Sequence, residues 1–305
     1  MRITTQCFQE YFAEWVEVYK QGAVRSVTYQ KYLMTLQRLS ELAPTLKVSE
    51  LDKRNYQGLI NDYAKTHERQ TTMDFHHHLK GAILDAVDEG LLSSDPTRKV
   101  IIKGKSPAKK KAKFLNQFEL HALLRALNLT DKPNWDWFIL LVAKTGLRFS
   151  EALALTPSDF NFKSQKISIT KTWDYKDSNG FGETKNSSSK RVLQIDTQLT
   201  SQFLELTRGL PEDLPIFVER RVFNSTVNNR LKALCEKAGV PVISLHSLRH
   251  THASLLIFAG VSISSIAKRL GHSSVTTTQE TYLHIIQELE NQDSEKIVQH
   301  LSMLI

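Results

Sequence analysis

The sequence is poor in the features that mark secreted, membrane-spanning and disulfide-rich proteins. Its 305 residues include two cysteines, Cys7 and Cys235, too few for a disulfide framework or a cysteine-based metal cluster, which fits a reducing cytosol. The longest apolar run, FILLVA at 138–143, falls far short of the roughly 18 residues that a membrane span needs. The N-terminal MRITTQCFQEYF has no apolar segment of the kind that a signal peptide requires.

Two common catalytic motifs are also missing, since the sequence holds neither a P-loop nor an HExxH. The close histidines His246, His250 and His252 have no carboxylate cluster nearby, which disfavours a metallohydrolase. His250 and His252 are expected instead to face the packing side of their helix and neighbouring loops. A hydrophobic content of 41% suffices for a real core, and the net charge of +8 favours a polyanionic partner, either nucleic acid or an acidic membrane surface.

The first hundred residues show helical periodicity throughout. Aromatic and aliphatic residues recur at helical spacing in four segments, which predicts a small four-helix bundle, with Ser26, Ser49 and Thr71 as N-caps. The run His76-His77-His78 suggests a metal site at first sight, but consecutive helical residues point to different faces and cannot converge on one ion. A solvated or DNA-facing surface is the favoured interpretation of this run.

A basic stretch follows the bundle. KGKSPAKKKAK at 103–113 cannot bury itself and is predicted to be an extended linker, with lysines that also suit a strap across a DNA backbone. The lysines are Lys103, Lys105, Lys109, Lys110, Lys111 and Lys113.

The next segment combines helices with β structure. Asn116 is predicted to cap one helix, Gly146 to end an apolar one that starts near Trp135, and Ser150 to cap the next. Arg148 lies between two apolar residues, where an unpaired guanidinium is costly, so it should meet either an anion or a carboxylate, Glu151 or Asp159. Alternating strand patterns occupy 159–162, 166–170 and 191–195, and a turn-rich stretch at 173–190 predicts a hairpin or three-stranded sheet.

The stretch at 245–285 gathers acid/base, anion-binding and nucleophilic side chains. His246 and Arg249 share a face near the N-terminus of a helix that Ser244 should cap and Ala259-Gly260 should end, and this helix end suits a phosphate.

A second helix from Ser262 should end at Gly271, which holds His272 at a tight turn. Thr277 or Thr278 is then predicted to cap a third helix, on which a solvent-accessible Tyr282 could attack phosphorus.

This series of His-x-x-Arg, Leu-Gly-His and Thr-x-x-x-Tyr-Leu-His resembles the C-terminal signature of the tyrosine recombinase (phage integrase) family. Thr-Gly-x-Arg-x-x-Glu at 145–151 is similar to the family's first arginine motif. The resemblance implies that Arg148 and Arg249 hold phosphate oxygens, that His246 accepts a proton, that His272 donates to the phosphate, that Glu151 supports the site and that Tyr282 is the nucleophile.

The family's catalytic lysine lies on the β element, and four lysines are candidates. TKNSSSKR resembles the family's Thr/Pro-Lys-x-x-x-x-x-Arg ending, which favours Lys185. Lys171 remains the alternative because the loop is longer than in the simplest family members, and the other candidates are Lys176 and Lys190.

The implied fold is mainly α with a small antiparallel β-sheet, arranged as a two-domain C-shaped clamp. A helical core-binding domain (1–100), a basic linker (101–113) and an α+β catalytic domain (114–305) follow one another, and the arm-binding domain of some members is expected to be missing, naturally or by truncation.

The implied function is site-specific DNA recombination, integrating or excising a prophage or mobile element through a covalent 3′-phosphotyrosyl intermediate, without metal or cofactor. A type IB topoisomerase-like strand transferase and an inactive DNA-binding regulator are the alternatives. The expected partners are double-stranded attachment sites, with a directionality factor or DNA-bending protein as accessory. A cytoplasmic protein with no membrane association is expected, monomeric when free and tetrameric on synapsed DNA, where the tail at 285–305 would pack on a neighbouring protomer.

Overall fold

The chain divides into two units, Met1–Lys110 and Lys111–Ile305, in a computed structural model that describes residues 5–106, 114–176, 180–184 and 186–282. Each unit has its own hydrophobic core. The domain boundaries expected from the sequence stay a prediction.

The first unit contains four helices, α1 (Phe8–Lys20), α2 (Ser26–Leu42), α3 (Lys53–Ala64) and α4 (Arg69–Asp88). Their apolar faces meet in one aromatic-rich core that includes Phe8, Phe12 and Tyr56. The helices are those that the periodicity predicts, but the predicted caps are one to three residues off. Helix α3, for example, is capped by Asp52, whose carboxylate accepts the Asn55 N–H at 2.7 Å, because this residue is better placed than Ser49.

The beginning of the predicted linker lies against this first unit. Gln57 exchanges two hydrogen bonds with the backbone of Ile101, both at 2.9 Å, and the Lys105 N–H donates to the His67 carbonyl at 2.8 Å. Lys103 and Lys105 keep exposed side chains, and the other four lysines of the basic stretch lie outside the described residues.

The three consecutive histidines lie in three different environments. His76 is buried and hydrogen-bonds the Tyr56 hydroxyl at 2.9 Å, His78 bonds the Thr35 hydroxyl at 2.8 Å, and His77 is exposed. The expectation of a solvated or DNA-facing surface is therefore wrong for His76, because its helical position faces the core of the bundle.

The second unit is built around a nearly fully buried helix. Helices α5 (Gln117–Arg125), α6 (Trp135–Thr145), α7 (Phe149–Leu153), α8 (Thr197–Leu206), α9 (Asn224–Ala238), α10 (Leu245–Phe258) and α11 (Ile263–Leu270) succeed one another. Most residues of α6 are buried, and α10 packs along it. The predicted caps Asn116 and Ser244 each accept a backbone N–H, and Ser262, expected as the start of its helix, caps α11. Gly146 and Gly271 end α6 and α11 in the left-handed conformation.

Two small antiparallel sheets flank the helices. Strands β1 (Phe160–Asn161), β2 (Lys166–Ile169) and β5 (Arg191–Gln194) form one sheet in the order β1-β2-β5, and β3 (Lys171–Asp174) pairs with β4 (Gly180–Glu183) in the other. Ile167 pairs with Leu193, so the alternating apolar residues point into the core, as the sequence pattern predicts. The mainly helical fold with small antiparallel sheets is thereby confirmed.

A last helical segment runs from Val275 to Tyr282, where the described residues end. It begins earlier than predicted, because Ser274 accepts the Thr276 N–H at 3.1 Å ahead of Thr277 and Thr278. Across the described parts of both units, no helix is both long enough and apolar enough to span a membrane.

Candidate active site

Arg148 stands at the junction between α6 and α7. The left-handed Gly146 turns the chain, and Arg148 itself occupies the N-cap of α7, so the predicted cap at Ser150 is wrong by two residues. The guanidinium donates to the Glu151 carboxylate at 2.6 Å and to the Gly271 carbonyl at 2.8 Å, and 29% of the side chain stays exposed. Arg148 is therefore anchored on one side and open on the other.

Arg249 lies in the second turn of α10 and is buried. Its guanidinium donates to the Gly146 carbonyl at 2.7 Å and to the Leu270 carbonyl at 2.6 Å. Both carbonyls belong to helix C-termini, whose partial negative charge suits a cation. Burial, and next the charge of Arg148, lower the pKa of Arg249. An anion that binds beside the guanidinium would therefore stabilise its ionised form.

Glu151 is the buried carboxylate at the centre of this cluster. It bonds Arg148, and it also accepts from both terminal nitrogens of Arg191, at 2.9 and 3.2 Å. Burial opposes ionisation of Glu151, yet hydrogen bonds and charges from Arg191 and Arg148 hold the pKa below its ordinary value. Arg148 and Arg191 thus share one carboxylate, and with the nearby Arg249 the cluster has an excess of positive charge.

Arg191 is a site residue that the sequence argument did not assign. It begins β5, is buried, and also donates to the carbonyls of Arg269 and Ser189 at 2.7 and 2.8 Å. The available signal was the arginine that ends the motif used to choose Lys185, but its partner Glu151 is forty positions away, and no local pattern reveals such a pair.

Two histidines lie beside the arginines. His246 is exposed in the first turn of α10, where partial desolvation and then Arg249 and Arg148 lower its pKa. His272 follows the Gly271 turn, and its Nδ1 lies 2.7 Å from the Thr278 hydroxyl. Burial, and then the nearby arginines, lower the pKa of His272 to about 4, so its imidazole is neutral at neutral pH.

Tyr282 is buried, with 2% of its surface exposed, and packs among Ala253, Ile257, Ile266 and Leu270. The expected solvent access is therefore wrong, because the last helical segment lays the ring on an apolar cluster. Burial raises the pKa of Tyr282 to about 12, an effect that Arg249 opposes.

The hydroxyl of Tyr282 lies 2.9 Å from Nδ1 of His250. The i, i+4 spacing puts His250 on the same face of α10 as His246, where it is half-buried and contacts the last helical segment. His252 does face the interior, where its ring nitrogens lie 3.1 Å from the Ala143 carbonyl and 3.0 Å from Nε of Arg269.

Of the favoured lysine and its alternative, only Lys171 is among the described residues, and Lys185 lies outside them. Lys171 begins β3, and its ammonium lies 2.8 Å from the Asp159 carboxylate and 3.1 Å from the Thr156 hydroxyl. These contacts give Lys171 a structural role between β3 and the turn before β1.

The site chemistry is that of an anion-binding centre beside a tyrosine. Among the described residues, no group of three histidine, cysteine, aspartate or glutamate side chains is arranged to hold a metal ion. The positive groups are arginines with fixed donors, which match the non-bridging oxygens of a phosphodiester.

Comparisons with known proteins identify integrases and tyrosine recombinases as relatives, in agreement with this site chemistry. The model of the phage integrase family matches residues 113–288. The integrase of Staphylococcus phage L54a is 26% identical over 332 residues, covering 97% of this chain and 93% of the relative. Tyrosine recombinase XerC of Bacillus subtilis (strain 168) is 25% identical over 292 residues, covering 92% of this chain and 93% of the relative.

Two groups of solved structures share the fold. The Tn1549 transposon integrase in complex with transposon right end DNA superposes with a TM-score of 0.79 at 17% identity, covering 96% of this chain and 100% of that chain. A lambda integrase tetramer bound to a Holliday junction gives a TM-score of 0.67 at 15% identity, covering 90% of this chain and 80% of that one.

Proposed function

The chain belongs to the phage integrase family of tyrosine recombinases, and from that premise we propose that it is a site-specific recombinase that integrates or excises a prophage or another mobile element. The relatives favour this function over a type IB topoisomerase-like enzyme or an inactive DNA-binding regulator. They are an integrase and a tyrosine recombinase, and the match to this chain covers nearly their whole length.

The observation that carries the proposal is the pairing of Arg148 and Arg249 through the α11 turn. Arg148 donates to the Gly271 carbonyl and Arg249 to the carbonyl of the preceding residue, Leu270, so the two guanidiniums are anchored at adjacent peptide units. A phosphodiester held by both would have its non-bridging oxygens neutralised. Positive groups that are fixed in advance stabilise the charge of a phosphoryl-transfer transition state most effectively.

The proposed reaction begins with attack by the Tyr282 oxygen on the DNA phosphorus. A 3′-phosphotyrosyl bond forms, the bond to the 5′ oxygen breaks, and Lys185 protonates the departing oxygen. The bond energy is kept in the phosphotyrosyl link, so ligation of the 5′-hydroxyl of a partner strand needs no nucleotide cofactor.

His272 is proposed to donate a hydrogen bond to the same phosphate. Its neutral imidazole can accept the Thr278 hydroxyl at Nδ1, which leaves a proton on Nε2 for an oxygen of the DNA. Glu151 would act indirectly, by orienting Arg148. His246 stands at the N-terminus of α10 near both arginines and would also face the phosphate.

The proposed partners are double-stranded attachment sites and further copies of this chain. The lambda integrase relative forms a tetramer on a Holliday junction, and we propose the same assembly here, with the free protein monomeric. A directionality factor or DNA-bending protein is the proposed accessory, the lysines of the basic stretch would contact DNA phosphates, and the reaction would take place in the cytoplasm. The tail proposed to link protomers lies outside the described residues.

The test measures formation of a covalent adduct between the protein and nicked suicide duplexes that carry the attachment core. The sequence of this core is first identified as a repeat in the DNA that flanks the gene. The wild-type chain should form an adduct that survives denaturing electrophoresis, and Tyr282→Phe should form none while it still binds the duplex, because only the nucleophilic oxygen is lost. Tyr19→Phe, which removes the hydroxyl of a half-exposed tyrosine in the first unit, is the matched control and should react normally.

An adduct that persists in Tyr282→Phe would show that another residue attacks. Relaxation of a supercoiled plasmid without the attachment core, at the rate seen with the core, would favour the topoisomerase-like alternative.

A further inference from the structure

The nucleophile makes its hydrogen bond with a residue that the assigned chemistry does not use. Nδ1 of His250 lies 2.9 Å from the Tyr282 oxygen, and the two rings meet edge to face with centroids 5.7 Å apart. The proton acceptor implied by the family resemblance is instead His246, which contacts His250 with ring centroids 4.7 Å apart. His250 therefore stands between His246 and the phenol.

Helix geometry explains this order. His246, Arg249 and His250 are spaced i, i+3 and i+4 along α10, so they share one face of the helix. His246 is exposed in the first turn, at the end where a phosphate would arrive, and His250 is half-buried one turn deeper, at the level of the Tyr282 ring. The deeper residue meets the nucleophile and the outer residue meets solvent or substrate.

The contact has the geometry of a proton transfer. A candidate base must lie within about 2.6–3.2 Å of the atom that it deprotonates, and the observed separation satisfies this requirement. With the phenol donating to Nδ1, the imidazole carries its own proton on Nε2, which is the tautomer of a base ready to accept a second proton.

The surrounding charges link this transfer to DNA binding. His250 contacts His246 on its own helix and Tyr282 from the last helical segment, and it lies within electrostatic reach of His272 after α11. A negative charge that enters this arginine-rich cluster favours transfer of a proton to the imidazole. A bound phosphodiester supplies that charge, so the phenol would become a good nucleophile only when the substrate is present.

We propose that His250 is the catalytic residue that accepts the Tyr282 proton, and that His246 contacts the phosphate instead; this inference rests on the proposed recombinase function. During cleavage the phenol O–H bond breaks, the proton moves to Nδ1 of His250, and the phenolate oxygen bonds to phosphorus as the 5′ oxygen leaves with a proton from Lys185. During ligation the 5′-hydroxyl returns its proton to Lys185 as its oxygen bonds to phosphorus, the tyrosine–phosphorus bond breaks, and His250 returns its proton to the tyrosine oxygen.

Two substitutions separate proton transfer from positioning. His250→Ala removes the contact, whereas His250→Asn retains a hydrogen-bonding atom near the Nδ1 position but cannot take up a proton. Both should slow covalent adduct formation on the nicked attachment-core duplex, by a factor on the order of 10²–10⁴, with DNA binding in a mobility-shift assay unchanged. His121→Ala, at an exposed position of α5, is the matched control and should react at the wild-type rate.

A more acidic nucleophile supplies the decisive readout. Replacing Tyr282 with a fluorinated tyrosine, whose phenol ionises at lower pH, should restore much of the rate in both His250 variants, since the base is then less needed. It should not restore Arg148→Ala, which lacks phosphate stabilisation. A duplex with a 5′-bridging sulfur should not rescue the His250 variants, because the sulfur removes the need for an acid rather than for a base.

The outcomes distinguish this inference from the function on which it rests. Absence of an adduct with the wild-type chain would overturn the recombinase function and this inference with it. With the wild-type chain active, normal or faster cleavage by His250→Ala would overturn only the role of His250. Normal cleavage by His250→Asn, or failure of the fluorinated tyrosine to rescue, would reduce His250 to a positioning residue. If circular dichroism shows that His250→Ala does not fold, the same measurements on His250→Asn decide the outcome.

Discussion

Removing the charge of Glu151 should destabilise the second unit far more than a helix-cap substitution does. Glu151→Gln keeps the size of the side chain, but one carboxylate then no longer serves two guanidiniums. The exposed fractions of the side chains are 1% for Glu151, 5% for Arg191 and 29% for Arg148, so Arg191 loses its counterion without access to water. Breaking a buried pair of this kind costs about 3–5 kcal/mol, and the partial exposure of Arg148 favours the lower end.

The chain offers a matched control in another helix. Glu119 accepts the backbone N–H of the α5 N-cap, Asn116, at 2.8 Å, just as Glu151 accepts that of Arg148 at 3.0 Å. Within the described part of the chain, however, Glu119 contacts no guanidinium. Glu119→Gln should therefore cost only the charge contribution at the helix N-terminus, about 0.3–1 kcal/mol, because the amide oxygen can still accept this N–H. The difference between the two variants measures the ion-pair contribution of Glu151.

Urea unfolding at pH 7, followed by tryptophan fluorescence, is the assay. Three of the four tryptophans, Trp135, Trp137 and Trp173, belong to the second unit and report on it. Because the pKa of Glu151 is lowered on folding, its contribution is present above the pKa of the unfolded chain and is lost as pH falls through the lower folded value. Equal losses for Glu151→Gln and Glu119→Gln at pH 7 would refute the electrostatic account of this cluster.

Two further predictions concern lysine and histidine. Lys185→Ala should slow cleavage and be rescued by a 5′-bridging sulfur, whereas Lys171→Ala should cleave normally, because its ammonium is held by Asp159; rescue of Lys171→Ala alone would reverse the assignment. Burial lowers the pKa of His252 to about 3 in the folded protein, whereas the pKa in the unfolded chain is about 6.5. Below about pH 6.5, His252 is therefore protonated in the unfolded chain but stays neutral in the folded protein. Stability should fall as pH drops from 7, with about 2 kcal/mol due to His252 at pH 5; a urea-unfolding pH slope of the same size in His252→Gln would contradict this.

The helix ends of the second unit could be predicted because their signals are local. Ser244 and Ser262 accept N–H groups within their own first turn, and Gly146 and Gly271 supply the left-handed turn that closes a helix. Where several cap residues compete, as in SSVTTT at 273–278, a local pattern cannot rank them, and the predicted start was late.

The contacts that organise the site could not be predicted, since they join distant positions. Arg191 reaches Glu151 across forty residues, and His250 reaches Tyr282 across thirty-two. The family resemblance supplied the residues of the motifs, but it gave no role to Arg191 at the end of the lysine motif and did not include His250. Both became visible only when the helices and strands were placed together.

The two glycine motifs of the sequence turn out to serve one purpose. In Thr-Gly-Leu-Arg the chain leaves α6 at Gly146, and its carbonyl accepts Arg249; in Leu-Gly-His the chain leaves α11 at Gly271, and its carbonyl accepts Arg148. The end of α11 therefore orients Arg148 of the first motif, and the end of α6 orients Arg249 of α10. A Cβ at Gly146 would lie 2.8 Å from the His252 ring, and one at Gly271 would lie 2.9 Å from the Arg191 guanidinium, so close packing adds to the positive φ at both turns. The glycines therefore shape the arginine cluster, because their carbonyls hold the two guanidiniums in place.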